Sequence, residues 1–264
     1  MGQKPVTKAD LEALRREVSR LERGSSPVVS GRFSTGSASL DGVLQGGLMR
    51  GALHEIFAAG TAAEPSASGF AVALAVRASE ARPLVWVRQD FAGVEAGEIY
   101  APGLAELGLS PDRVILVRAR DGPAVLRAGE EAARCPPLGA VIIEPWGAPK
   151  ALDLVASRRL ALAAARSNVP LFMVRAGAEP EPSAALTRWR VRAALSTAME
   201  ADAPGRPAFD VELLRDRAGA GGRNWIVEWD RDQRTFKDIQ ALSGGMVSLP
   251  AGGSHHARHA RRAV

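Results

Sequence analysis

The sequence predicts an α/β fold in which helices cover both faces of a mostly parallel sheet, followed by an antiparallel extension. Between residues 34 and 174, short apolar runs alternate with helical segments, and strands this apolar are typical of parallel sheets buried on both faces. After residue 186 single apolar and polar residues alternate, which indicates antiparallel strands with one polar face. The predicted architecture therefore has three layers, with the extension continuing the sheet.

Five strands and four helices are predicted in the parallel part. The strands are Ala52–Phe57, Leu84–Val87, Arg113–Val117, Ala140–Ile143 and Leu171–Val174. The helices are Gly69–Ala81, a segment around Gly97–Leu107, Pro123–Arg134 and Leu152–Ser167. The extension contains the alternating segments around Trp189–Ala193 and Phe209–Leu213, and then Trp225–Trp229 after a glycine-rich turn.

The two ends of the chain are predicted to lie outside this core. Thr7–Arg23 has leucine and valine at spacings of three and four, which predicts an amphipathic helix that packs on the core or on a partner. Residues 243–264 are rich in Gly, Ser, His and Arg, and we expect a disordered basic tail. The predicted organisation is an N-terminal helix and linker over residues 1–27, a core over 28–242, and this tail.

Composition excludes several classes of site. Cys135 is the only cysteine, so neither an internal disulfide nor a thiolate metal cluster is expected. His54 is the only histidine before the tail, and its apolar surroundings predict a strand residue rather than a catalytic or metal-binding one. The polar N-terminus and the absence of a membrane-length apolar run predict a cytoplasmic protein, with association with the nucleoid as an alternative.

The chain is basic, with a net charge of +5, which favours nucleic acid or an acidic protein as partner. Part of this charge comes from the tail, where Arg258, Arg261 and Arg262 are candidates for contact with nucleic acid or a partner, or serve only to keep the chain soluble. A second group of arginines is predicted on one face of a strand. These residues are Arg188, Arg190 and Arg192, and they form either a surface for nucleic acid or a partner, or a solvated sheet face. By alternation, Trp189 is predicted on the opposite face, in the core.

Three segments near the start of the predicted core carry a resemblance to a known fold. The runs Ser34–Leu44, Gly46–Leu48 and Gly51–Ile56 resemble the entry to the ATPase core of RecA-type proteins. The order of the elements that follow agrees with that fold from Ser34 to Trp229. The resemblance implies a phosphate-binding loop directly after the first core strand.

Three further segments are similar to the ImuA family of bacteria, RecA-like proteins of damage-induced mutagenesis. They are Gly97–Leu104, Leu186–Val191, and Asp210–Arg215 leading through glycines to Trp225. This resemblance implies an accessory subunit of a translesion synthesis complex in the SOS response. Its implied partners are the Y-family-like protein ImuB and an error-prone polymerase, with RecA as a further candidate.

The loop implied by the RecA resemblance lacks key residues. If Gly60 and Gly69 frame it, Phe70 stands where the phosphate-binding lysine is needed and Ala71 where a hydroxyl would bind magnesium. The loop is also about four residues longer than the motif, and Glu64 within it would repel phosphate. We therefore expect no catalytic residues and no cofactor, with weak binding of ATP and magnesium as an alternative.

Two acids follow predicted strands. The RecA resemblance implies a magnesium-organising role for Glu144 and a place for Asp90 near the water-activating acid. The alternative is that both are polar groups at strand ends, where such sheets open to solvent.

The resulting hypothesis is a non-catalytic scaffold. The segments Pro145–Ala151 and Arg175–Ala185, which correspond to the mobile DNA-binding loops of RecA, are short and proline-rich, so weak or indirect DNA contact is expected. One alternative is a RecA-type DNA-dependent ATPase. Another is a cell-division inhibitor of the SulA type, a related but shorter family that lacks most of the extension.

Overall fold

The computed structural model describes residues 31–197 and 205–239, so the predicted helix Thr7–Arg23 and the tail arginines lie outside the described residues. Its strands are β1 (Arg32–Phe33), β2 (Leu48–Met49), β3 (Leu53–Ala58), β4 (Leu84–Gln89), β5 (Val114–Ala119), β6 (Ala140–Glu144), β7 (Leu171–Arg175), β8 (Thr187–Ala193), β9 (Ala208–Asp216), β10 (Arg223–Asp230) and β11 (Thr235–Asp238). Its α-helices are α1 (Ala38–Val43), α2 (Glu64–Ser79), α3 (Asp90–Ala96), α4 (Ala101–Glu106), α5 (Gly122–Ala133) and α6 (Leu154–Ser167). Short 3₁₀ turns cover Thr61–Ala63 and Pro111–Arg113.

A nine-stranded sheet forms the centre of the molecule, in the order β11-β10-β9-β8-β3-β7-β6-β4-β5. The strands from β5 to β8 along this order are parallel, and β8 to β11 pair antiparallel. The predicted α/β fold, a RecA-like arrangement with an antiparallel extension, is confirmed. The predicted strands of the parallel part agree with the observed ones to within two residues at each end.

Helices cover the two faces of the sheet unequally. Helix α2 packs on one face and forms a core with the apolar side chains of β3, β4, β6 and β7 and of the extension. Helices α5 and α6 pack on the other face, over a second core. Their N-termini are capped by Asp121 and Asp153, whose carboxylates accept hydrogen bonds from Ala124 N and Ala156 N, at 2.8 and 2.7 Å.

Helix α2 packs against the antiparallel extension as well as against the parallel strands, and its side chains are apolar on almost every side. The ring of Phe70 contacts Phe209 of β9 and Phe236 of β11, with centroids 5.8 and 5.3 Å apart. In addition, Trp229 Nε1 of β10 donates a hydrogen bond to Leu107 O, just after α4, at 3.0 Å. Every side chain from residue 70 to residue 76 of α2 is buried, which explains the absence of a polar stripe there.

The segment around α1 has a structural role. Asp41 Oδ1 accepts hydrogen bonds from Thr35 N at 2.9 Å and from Thr35 Oγ1 at 2.7 Å, which fixes the turn before the helix. The side chains of Ser37 and Ser39 both donate to the carboxylate of Asp238 in β11. These contacts connect the start of the described chain to the last strand of the sheet.

One predicted helix is divided in two. The segment around Gly97–Leu107 contains the end of α3 and a separate helix, α4. Gly97 ends α3 with a φ of 80°, a left-handed conformation that glycine adopts without steric cost. Among the helices of residues 31–197 and 205–239, none has the length and hydrophobicity needed to cross a membrane.

Candidate functional site

The connection from β3 to α2 is the segment in which the RecA resemblance implies a phosphate-binding loop. It is short, because β3 ends at Ala58, Gly60 turns the chain with a φ of 107°, and α2 begins at Glu64. Pro65 occupies the second helical position, where its missing N–H leaves no bond unmade and its fixed φ suits the first turn. The connection therefore consists of residues 59–63.

The prediction that Gly60 and Gly69 frame a long loop is wrong. Gly69 lies inside α2, where its backbone faces the ring of Phe209. Phe70 is in the core, 1% exposed, so it does not stand at a phosphate-binding position, and Ala71 is equally buried. The helix begins at Glu64, five residues before the predicted start at Gly69. The sequence signal for this start is the pair Glu64–Pro65, because acids and proline both favour a first helical turn.

This helix start does not fit a nucleotide phosphate. The N-terminus of a helix attracts anions, but phosphate-binding loops add a lysine to it. Here the first turn contains Glu64, Pro65 and Ser66, with no lysine or arginine. Glu64 is largely buried, and its carboxylate would repel phosphate at this point.

Glu144, at the end of β6, is held by an ion pair. Arg88 of β4 lies beside it in the sheet register, and Arg88 Nε is 2.8 Å from Glu144 Oε2. Trp86 Nε1 and Ser68 Oγ donate weaker bonds to the same carboxylate, both at 3.3 Å. Burial nevertheless raises the pKa of Glu144, because desolvation outweighs these favourable contacts. Arg88 already neutralises this carboxylate and occupies one of its oxygens, and a guanidinium so close would repel a magnesium ion, so the residues present do not fit this metal.

Asp90 does not join Glu144. It is the first residue of α3, its side chain is about half exposed, and it lies 3.3 Å from Arg118 Nε. The neighbouring Gln89 accepts a hydrogen bond from Trp146 N at 3.0 Å and so holds the loop after β6. The structure therefore supports the interpretation of Asp90 as a polar group at a strand end.

A cleft of about 300 Å³ opens between the N-terminus of α2 and the segment from α3 to α4. Its walls are mostly apolar, and its polar groups include three carboxylates and one guanidinium. The lining residues are Glu64, Pro65, Ser68, Gly69, Val72, Trp86, Arg88, Ala96, Gly97, Glu98, Ile99, Tyr100, Gly103, Leu104, Leu107 and Glu144. Sequence reasoning identified Gly69 and Glu144 in this set but missed Arg88 and assigned Glu64 to a loop.

The arginines of β8 are neutralised by acids. Arg188 is buried, with its Nε 2.9 Å from Glu55 Oε2, so the prediction that it contacts nucleic acid or a partner is wrong. Arg190 lies 3.4 Å from a carboxylate oxygen of Glu212, and Arg192 lies 2.6 Å from one of Asp210. The interpretation as a solvated sheet face fits Arg192, and Trp189 lies in the core as predicted.

His54 is a buried strand residue, as predicted. Its ring nitrogens bond to Thr187 Oγ1 and Met49 O, both at 2.8 Å, and burial lowers its pKa to about 4. Within residues 31–197 and 205–239, no three His, Cys, Asp or Glu side chains group so that they could hold a metal ion.

The fold and the cleft together define a RecA-like protein without a lysine between its first core strand and the following helix. No protein-family model matches the chain. Two proteins named Protein ImuA, from Caulobacter vibrioides strains NA1000 / CB15N and ATCC 19089 / CIP 103742 / CB 15, are each 34% identical to it over 212 residues. The match covers 74% of this chain and 82% of each relative. The chain belongs to the ImuA family.

Proposed function

We propose that the chain is a non-catalytic accessory protein of a translesion DNA synthesis complex and acts there as a protein-interaction scaffold. Membership in the ImuA family supports a place in induced mutagenesis. The proposed partners are an ImuB-type Y-family-like protein and an error-prone polymerase, with RecA as a further candidate and only weak or indirect DNA contact.

The observation that carries the non-catalytic part is the pairing of Glu144 with Arg88. A metal-organising acid must present free oxygens to the ion. Here one oxygen bonds to Arg88 and Trp86, the other to Ser68, and the cation that phosphate needs is absent from the first turn of α2. The retained fold without these groups supports a binding role rather than phosphoryl transfer.

The edge of the sheet at β5 supports the scaffold part of the proposal. Among residues 31–197 and 205–239, strand β5 pairs with β4 on one side and has no neighbouring strand on the other. Ile115 and Leu116 of this strand are 53% and 42% exposed. An exposed apolar edge strand offers backbone donors and acceptors to a partner strand, and its side chains add apolar contact.

The first test is titration of labelled ATP with magnesium into the purified protein, followed by an overnight hydrolysis assay. We expect no binding at millimolar ATP and no turnover. Micromolar binding with magnesium-dependent turnover would favour the alternative, a RecA-type ATPase, and would contradict the proposal.

The second test is a pull-down of an ImuB-type protein by the purified chain. We expect Leu116→Lys to weaken this interaction at least tenfold, because a charge on the edge strand opposes pairing. Leu162→Lys is the matched control, since Leu162 is an exposed leucine on α6, and it should bind normally. Capture of a tubulin-like division protein instead of the ImuB-type protein would support the SulA-type alternative.

A further inference from the structure

The carboxylate of Glu64 is the charged group in the cleft that has no hydrogen-bond or ion-pair partner among the described residues. The side chains of the other two glutamates are paired, Glu144 with Arg88 and Glu98 with Arg118, the latter at 2.5 Å. Glu64 is only 7% exposed, and within residues 31–197 and 205–239 no hydrogen bond or ion pair involves its side chain. The residue is enclosed while its unpaired carboxylate lines the cleft, so this carboxylate can accept hydrogen bonds from a ligand.

The guanidinium of Arg88, which also lines the cleft, is already engaged by acceptors of the protein. Its Nε bonds to Glu144, its Nη1 to Gly97 O at 2.5 Å and its Nη2 to Ala92 O at 3.1 Å. Each of its three nitrogens therefore already has an acceptor in the protein. An anion that entered the cleft would meet the charge of Glu64 beside a guanidinium that is already paired with Glu144, whereas a cation would find an unpaired carboxylate.

The walls of the cleft suit a long aliphatic stem. Val72, Trp86, Leu104 and Leu107 line the cleft beside the carboxylate. The volume of about 300 Å³ corresponds to roughly ten water molecules at about 30 Å³ each, enough for one extended side chain. At the rim, Tyr100 is 71% exposed and offers apolar surface to the residues on either side of an inserted one.

We propose that this cleft receives an arginine side chain from a partner protein, with the guanidinium paired to Glu64 and the stem against Val72, Trp86 and Leu104. Arginine fits better than lysine because its planar fork can bond both oxygens of a carboxylate and is more weakly hydrated. The inference rests on the proposed function in one respect, since the arginine is supplied by a partner. It assigns the position at the start of α2 to a cation.

The test is fluorescence-polarisation titration of the full chain with a labelled, blocked leucine–arginine–leucine peptide. The comparison peptide contains citrulline, which has the shape of arginine without its charge. We expect the arginine peptide to bind at least tenfold more tightly than the citrulline peptide, and its affinity to fall as salt rises. Equal affinities, or no binding of either peptide at millimolar concentration, would overturn the proposal.

Two variants locate the charge. Glu64→Gln keeps the size of the side chain and should weaken the arginine peptide by about tenfold to a hundredfold, the range for a lost charge-assisted bond. Glu131→Gln, an exposed acid on α5, should bind like the wild type. Unchanged binding by Glu64→Gln, with a normal melting curve, would show that the cation binds elsewhere.

Two further arms identify the source of the cation. Agmatine, a free guanidinium on an aliphatic stem, should compete with the arginine peptide only weakly. If agmatine binds as tightly as the arginine peptide or more tightly, the assignment to a protein side chain is overturned. Peptide binding that appears only after removal of residues 243–264 would overturn it in favour of the chain's own arginines. The ATP titration and the pull-down above do not depend on Glu64, so they test the proposed function separately.

Discussion

Two buried glutamate–arginine pairs lie on opposite faces of the sheet, and they differ in the charges that surround them. In each pair the residues are direct neighbours on adjacent parallel strands, Glu55 beside Arg188 and Glu144 beside Arg88. Glu55 is completely buried on the face of α5 and α6, and it has a second arginine, Arg175, at 3.6 Å. Glu144 lies on the face of α2, where it lines a cleft that also contains Glu64.

The difference shows how the same cross-strand pair serves structure in one place and leaves room for binding in another. At Glu55 two arginines share one glutamate inside the packed core, where no ligand has access. At Glu144 the cluster contains one arginine, Arg88, and two glutamates, Glu144 and Glu64. Its net charge is therefore negative, and all three residues line the cleft. Removal of one member of a buried pair leaves the other charge uncompensated, and the cost depends on access of water.

Loss of Glu55 should have the largest effect on stability. In Glu55→Gln, Arg175 and Arg188 remain buried without a counter-charge in direct contact. We expect the free energy of unfolding to fall by about 3–5 kcal/mol, the range for a broken buried ion pair. Urea denaturation monitored by circular dichroism measures this loss. Glu131→Gln is the control and should change stability by no more than about 0.5 kcal/mol. A loss below about 1 kcal/mol for Glu55→Gln would show that Glu181, which acts electrostatically on Arg175, compensates both arginines.

Loss of the charge at Glu144 should cost less. In Glu144→Gln, Arg88 keeps its bonds to Ala92 O and Gly97 O, and the adjoining cleft admits water. We expect a loss of about 1–3 kcal/mol in the same denaturation experiment. A loss as large as that of Glu55→Gln would contradict the distinction between a closed and an open cluster.

Neutralisation of Glu64 should have the smallest effect, with the opposite sign. Burial, and then the charges of Glu144 and Glu95, raise the pKa of Glu64 above its ordinary value of 4.5, while Arg88 acts in the other direction. A raised pKa means that the stabilising contribution of the protonated form is present below pH 4.5 and is lost as the pH rises through the raised value. At pH 7.5 the ionised carboxylate therefore destabilises the fold.

Glu64→Gln should accordingly melt up to about 3 °C higher than the wild type at pH 7.5, with a smaller difference at pH 4.5. Thermal unfolding at the two pH values, monitored by circular dichroism, measures both differences. A lower melting temperature at pH 7.5 would show that the interaction of Glu64 with the N-terminus of α2 outweighs its desolvation. A gain in stability together with the loss of peptide binding would identify Glu64 as a residue retained for binding.

Part of the candidate site was predictable from sequence, because it depends on local pattern. Glu144 follows a continuous apolar run, so its place at the end of a central strand could be predicted. The start of α2 was missed because the glycines were matched to a loop motif, although Glu64 and Pro65 are both typical of a first helical turn. The same error placed Phe70 at the phosphate, when it packs among the aromatic rings of the extension.

The sequence by itself determined the layer architecture, the change from parallel to antiparallel strands and the burial of Trp189. Each follows from the spacing of apolar residues along a few consecutive positions. Only the tertiary structure decided which charges are free. Arg88 and Glu144 are 56 residues apart along the chain, and Arg188 meets Glu55 through the order of the strands. Such pairs depend on which strands become neighbours, and strand order is not encoded in local periodicity. For this reason the arginines of β8 are largely neutralised by acids of neighbouring strands. Glu64, in the segment predicted to bind phosphate, is left without a partner among the described residues and can pair with a cation.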